Sequence, residues 1–172
     1  MNIASATATE LERIVALVND AYRGSAKTPG WTHEAALLGG QRVDIAALRT
    51  MIDKDGETIL VARDSHDIVA CVAVRPLDAA EWYLSMLAVD PDCQAAGVGK
   101  AIMTGAEQHA RARGAQRMRI SVINLREPLI AWYERQGYVR TGEIEPFPGD
   151  DPSVGTPLRA DLVLVVLSKS LQ

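Results

Sequence analysis

The chain has 172 residues, 48% of them hydrophobic and 23% charged, with a net charge of −4 at pH 7. That length suits one domain spanning 1–172 with a sizeable core, the composition excludes disorder, and the negative charge argues against nonspecific nucleic-acid binding. The longest apolar runs, such as Leu162 to Leu167, are too short to cross a bilayer, so no membrane association is expected. No basic stretch followed by an apolar one marks a signal peptide at the N-terminus. The two cysteines, Cys71 and Cys93, form neither a metal pattern nor a disulfide framework, so a reduced, cytoplasmic setting without a bound metal is expected.

Asn2 to Ser5 reads as a short first strand. Thr7 and Glu10 have capping-box spacing, so a helix starts near Ala8, with Leu11, Ile14, Val15, Val18 and Tyr22 on one face. Arg23 to Gly30 breaks it. Trp31 to Leu38 reads as a short helical turn closed by Gly39-Gly40, and Asp44 as the N-cap of a helix to about Ile52. Thr58 to Arg63 and Ile68 to Arg75 are apolar, β-branched strands joined at Asp64-Ser65-His66-Asp67. Trp82 to Val89 is a further strand. Val98, Ile102, Ala106 and Ala110 keep helical spacing, and Gly114 closes that helix. Met118 to Ile123 is a strand, and Pro128 opens a helix that ends at Gly137. Tyr138 to Ile144 is a strand and Glu145 to Pro157 a loop. Ala160 to Ser168 is a last strand, apolar on both faces and so placed inside the sheet. The order β-α-α-β-β-β-α-β-α-β-β predicts an α/β fold: a mixed, mainly antiparallel sheet flanked by helices.

The stretch from Leu87 to Met103, LAVDPDCQAAGVGKAIM, carries the main functional signal. An apolar strand stops at Asp90-Pro91, and Gly97 and Gly99 stand at the mouth of an amphipathic helix. The free N–H groups of a helix's first turn favour an anion, and glycines there let it approach the backbone. A P-loop is excluded, because its first glycine and the hydroxyl after Gly99-Lys100 are missing. A dinucleotide fingerprint is excluded, because Ile102 occupies its third glycine position. A turn that uses glycine for its geometry alone remains the competing reading.

Gln94-Ala95-Ala96-Gly97-Val98-Gly99 matches Q/R-x-x-G-x-G/A, and Ala131 to Tyr138 (AWYERQGY) is similar to an FYEK-x-GF block further along. The paired motifs, with the elements around them, resemble the GNAT superfamily of N-acetyltransferases. The resemblance implies an acetyl-CoA-dependent N-acetyltransferase in which a primary amine of an unidentified small-molecule acceptor attacks the thioester directly in a ternary complex. It implies that the backbone of Gln94, Ala95, Ala96, Gly97, Val98, Gly99 and Lys100 cradles the pyrophosphate. Lys100 either adds a charge to the phosphates or is a solvated helix residue.

The resemblance further places the pantetheine arm along Leu87, Ala88 and Val89, with the Leu87 N–H polarising the thioester carbonyl. It assigns Asn124 to the pantetheine, against a reading as a turn residue. It makes Tyr133 the acid that protonates the departing thiolate, against a reading as a core aromatic. Glu81 is the candidate general base, or an exposed turn residue, with His33 and Glu34 as weaker alternatives. Tyr22, Trp31, His33 and Glu34 are the implied acceptor-binding residues, and an acidic rim of Glu143, Glu145, Asp150 and Asp151 would attract a cationic amine. His66 and His109 read as turn and helix-surface residues. Other readings of the same residues are a CoA-binding module without turnover and a transferase of longer acyl groups. A homodimer built through the apolar final strand is also expected.

Overall fold

The computed structural model describes residues 1–24, 33–65, 67–151 and 154–172, with the backbone alone for 94–96. The elements are β1 (Asn2–Ser5), α1 (Leu11–Arg23), β2 (Leu38–Gly39), α2 (Ile45–Asp53), β3 (Thr58–Asp64), β4 (Asp67–Pro76) and β5 (Glu81–Val89). They continue with α3 (Val98–Arg111), β6 (Arg117–Ile123), α4 (Glu127–Arg135), β7 (Val139–Pro146), β8 (Thr156–Pro157) and β9 (Val163–Ser170). The expected α/β order is present, with the two-residue strands β2 and β8 added. Trp31 and His66 lie outside the described residues.

The local signals act as their chemistry requires. The capping box at Thr7 forms, with the Thr7 N–H donating to Glu10 Oε2 at 2.9 Å, and a single 3-10 turn leads into α1. Helix α1 buries Leu11, Ile14, Leu17, Val18 and Ala21, while Val15 and Tyr22 flank that stripe half-buried. Asp44 caps α2 by accepting from the Ala47 N–H at 2.7 Å. The segment expected as a helical turn before Gly39 is a turn at 35–37 running into β2. The expected loop from Glu145 to Pro157 is shorter at both ends, because β7 runs on to Pro146 and β8 pairs with β2.

The main sheet has the order β1-β3-β4-β5-β6-β9-β7, antiparallel throughout except for the parallel pair β5–β6. Helices α1 and α2 cover one face, and α3 and α4 cover the other. Strand β9 is interior, as its two apolar faces require. It is hydrogen-bonded to β6 and β7 on its two sides, so it has no free edge with which to build the expected dimer sheet. No helix among the described residues is long and apolar enough to cross a membrane.

Strand β5 carries a bulge. Cys71 faces Ala88 and Ala73 faces Ser85, so two residues of β5, Met86 and Leu87, oppose the single Val72. Met86 takes a positive φ of 53°, uncommon for a non-glycine residue. The extra residue changes which face the strand presents: Trp82 and Leu84 pack under α3 and α4 before the bulge, and Leu87 and Val89 do so after it. A buried carboxylate fastens α3 to the far half of the sheet. Glu107 accepts from Lys169 Nζ at 2.9 and 2.8 Å and from the Tyr138 hydroxyl at 3.1 Å.

His109 is not the surface residue expected. Its Nε2 is buried without a hydrogen-bond partner, and its ring stands edge-on to Trp82 with centroids 6.0 Å apart. Burial, with Arg113 nearby, holds its imidazole below the ordinary 6.5. The unfolded chain therefore binds a proton that the folded chain does not, and stability falls as pH drops below about 6.5. Urea melts at pH 7.5 and 5.5 test this: His109→Leu is expected to show a smaller loss over that interval than the parent protein.

Candidate functional site

Strands β5 and β6 pair over only Glu81–Tyr83 and Arg117–Arg119. Beyond that point they part and leave a slot of about 220 Å³ through the sheet. Ser85, Met86 and Leu87 line one wall, and Ser121, Val122 and Ile123 the other. Tyr133 and Leu129 reach it from the α4 side, and Tyr22, Glu34 and Arg42 from the α1 side. The Asp90 N–H donates to Val69 O at 2.8 Å. Strand alternation then turns the backbone groups of Leu87 and Val89 away from β4, toward the slot.

Two tyrosines meet at the slot from opposite faces of the sheet. Tyr133 is 6% exposed, edge-on to Trp132 and Tyr138 at 5.0 and 5.7 Å, and its hydroxyl has no hydrogen-bond partner among the described residues. Burial raises its phenol well above the ordinary value, so the donor form is the populated one at neutral pH. The Tyr22 hydroxyl donates to Leu87 O at 2.9 Å, and burial raises this phenol as well. Tyr22 thus fixes the peptide at the bulge rather than offering a free group to the slot.

The glycine stretch has the geometry of an anion site. Asp90 caps a 3-10 turn over Pro91–Ala96 by accepting from the Asp92 N–H at 3.0 Å. Gly97 is left-handed, with φ 74°, and is the N-cap of α3 with no side-chain cap. The first N–H to close a turn is that of Ala101, onto Gly97 O at 3.0 Å, so the N–H groups of Val98, Gly99 and Lys100 have no partner within the helix. Val98 and Gly99 are buried, and Lys100 is exposed beside an open groove of about 710 Å³ against β1. Arg13 reaches Asp90 at 3.5 Å and steadies the turn from α1.

Other candidate residues lie elsewhere or are held by partners. Glu81 sits at the start of β5, 3.6 Å from Arg117 and roughly 20 Å along the strand from Leu87. Asn124 donates to Asp161 O at 3.2 Å and accepts from the Val163 N–H at 3.1 Å, so its amide ties β6 to β9. His33 Nε2 lies 2.6 Å from Gly24 O. Glu34 is in the slot but held by Arg23 at 2.5 Å and Arg126 at 3.4 Å. The expected acidic rim is partly neutralised, because Arg119 binds Glu143 at 2.6 Å and Glu145 at 2.8 Å. Burial and the carboxylates of Asp90, Asp64 and Asp92 raise the Cys93 thiol, which disfavours a thiolate there. Sequence reasoning missed Arg42, Arg126, Tyr83 and Ser85 as slot residues. Ser85 and Tyr83 alternate along β5 on the side away from the apolar set, which is the one pattern that points to them.

The sequence model of the acetyltransferase (GNAT) family matches residues 12–138, and the chain belongs to that family. No curated protein matches the chain. Among solved structures, the ribosomal-protein-alanine N-acetyltransferase from Brucella melitensis shares the fold with a TM-score of 0.73 at 20% identity, covering 99% of each chain. An aminoglycoside 6'-N-acetyltransferase complexed with coenzyme A does so with a TM-score of 0.73 at 14% identity, over 100% of this chain and 98% of that one. A GNAT family acetyltransferase from Elizabethkingia anophelis with acetyl-CoA bound does so with a TM-score of 0.63 at 14% identity, over 98% and 97%.

A Cβ at Gly97 would meet nothing within 4 Å, so the cost of a side chain there is conformational and not steric. Gly97→Ala is expected to lower unfolding stability by about 1 kcal/mol, read as a lower urea midpoint at unchanged slope.

Proposed function

We propose that this chain is an acetyl-CoA-dependent N-acetyltransferase that acts on a primary amine by direct attack in a ternary complex. The observation that carries the reading is the slot between β5 and β6, which brings a tyrosine hydroxyl without a hydrogen-bond partner among the described residues and the stretch of β5 that β6 no longer pairs to one place. The pantetheine arm would lie along Leu87, Ala88 and Val89 like a short added strand. The uncapped start of α3, from Gln94 to Lys100, would take the pyrophosphate.

The chemistry then runs as a nucleophilic addition and elimination. The neutral amine nitrogen bonds to the thioester carbon, and the carbonyl oxygen gains the negative charge. The Leu87 N–H, turned toward the slot, stabilises that oxyanion. The C–S bond breaks, the thiolate takes the Tyr133 hydroxyl proton, and the proton lost by the amine goes to solvent, from which Tyr133 is reprotonated. Glu81 has no part in this scheme: it does not line the slot, and Arg117 lies 3.6 Å from its carboxylate. Asn124 likewise holds β9 and not the cofactor.

Acetyl-CoA at a hundredfold over its Kd is expected to add about 2.7 kcal/mol of stability, and an unchanged melting temperature at saturation sinks the cofactor assignment. Tyr133→Phe removes a hydroxyl with no hydrogen-bond partner among the described residues. It is expected to lower kcat by roughly a hundredfold while acetyl-CoA affinity is retained. Tyr22→Phe frees the Leu87 carbonyl. It is expected to cost about 1 kcal/mol of stability and to lower kcat more than it raises the KM for acetyl-CoA.

A further inference from the structure

The α1 side of the slot has an unusual charge balance. Glu34 is the sole carboxylate among its described lining residues. Both of its oxygens are engaged, Oε1 by Arg23 and Oε2 by Arg126, in a cluster whose three side chains are 8 to 11% exposed. Arg42 adds a further guanidinium to the same wall. Among the described residues at the α1 end of the slot, the three cations Arg23, Arg42 and Arg126 stand against one anion.

The backbone at Arg42 is fixed from α1. Asn19 clamps its backbone: Oδ1 accepts from the N–H groups of Arg42 at 2.7 Å and Val43 at 3.2 Å, and Nδ2 donates to Val43 O at 2.8 Å. The guanidinium lies over the Tyr22 ring, 5.3 Å from its centroid. A guanidinium held over a ring face keeps its N–H groups for other partners, and such a group can make two parallel bonds to a carboxylate. Among the described residues, this guanidinium has no ion-pair or hydrogen-bond partner. Tyr22 in turn holds Leu87, so the open cation stands one side chain away from the peptide that faces the thioester.

We infer that the acceptor is an amine that carries its own carboxylate, a free amino acid or a close analogue, with Arg42 binding the carboxylate. This rests on the acetyltransferase reading and deepens it. The size agrees, since about 220 Å³ is below the roughly 300–1,000 Å³ of pockets that take drug-sized ligands. The excess positive charge disfavours polycations such as polyamines and aminoglycosides.

The test measures free-thiol release from saturating acetyl-CoA by the full chain, with the standard L-amino acids, their methyl esters, their decarboxylated amines, spermidine and kanamycin as acceptors. At least one amino acid is expected to exceed its own ester and decarboxylated amine by about tenfold to a hundredfold in kcat/KM, the range of a charge-assisted contact. Arg42→Gln is expected to erase that preference through KM, with Arg42→Lys intermediate, while acetyl-CoA still raises the melting temperature of both variants. A purely structural role for Arg42 would not change the ratio of acid to ester. Esters or decarboxylated amines turned over as well as the acids, a preference for spermidine or kanamycin, or no turnover of any amino acid by protein that acetyl-CoA stabilises, each overturns the inference. The comparison within the parent protein stands even if the variants fail to fold. If acetyl-CoA neither stabilises the protein nor loses its acetyl group, the acetyltransferase reading itself fails, and this one falls with it.

Discussion

The parting of two neighbouring strands governs the rest of this structure. Parallel strands in a twisted sheet ordinarily stay in register for their whole length, because each unpaired N–H and C=O buried between them costs free energy. Here β5 and β6 separate after three pairs. The backbone groups so released need partners that the sheet does not supply, and Tyr22 meets one of them at the Leu87 carbonyl. The bulge at Met86 and Leu87 lies along the same edge. It turns Leu87 into the α3 and α4 layer and leaves a positive φ at Met86, a strained conformation worth roughly 1 to 3 kcal/mol that the packing around β5 maintains.

The two faces of the slot have different chemical characters. On the α4 side the surroundings are aromatic and closely packed, and Tyr133 stands between Trp132 and Tyr138 with no charged partner in hydrogen-bond reach among the described residues. Low polarity there keeps the phenol protonated. On the α1 side the surroundings are ionic, with Arg23, Glu34 and Arg126 forming one buried network. Removing Glu34 would leave two guanidiniums desolvated together, so this network is costly to break piecemeal. A sheet one residue thick separates the two environments, and the slot is where they communicate.

Most of the architecture was legible in the sequence because it follows from local rules. The capping box at Thr7, the Asp44 N-cap, the continuous apolar, β-branched runs of β3 and β4 and the left-handed glycines at 97, 114 and 137 are each determined by a few neighbouring residues. The glycine loop was legible for the same reason. The slot was not, because it depends on where two strands stop pairing, and neither strand carries a breaker at that point. Asn124 and Glu81 show the limit from the other side. Each has a residue type suited to chemistry, but the long-range partners Val163, Asp161 and Arg117 decide what it does. His109 misled by its helical position, since its burial comes from Trp82 on a strand far away in sequence. Arg42 sits in a loop without periodicity, and only the fold stacks it on Tyr22.

The short β5–β6 ladder also has a mechanical meaning. It divides the chain into two stiff plates, β1 to β5 with α1 to α3 on one side and β6 to β9 with α4 on the other. The three ladder pairs form a spine, reinforced behind by the Glu107–Lys169 contact. Across the opposite margin the fasteners among the described residues include the two-residue pairing of β2 with β8, the 3.3 Å bond from Arg23 to Val154 O and the 3.4 Å contact of Glu34 with Arg126. Bending about such a spine changes the separation of the plates without disturbing any long strand pairing. A change in the width of the opening therefore leaves the long ladders intact and acts first on the ionic clasp at its margin.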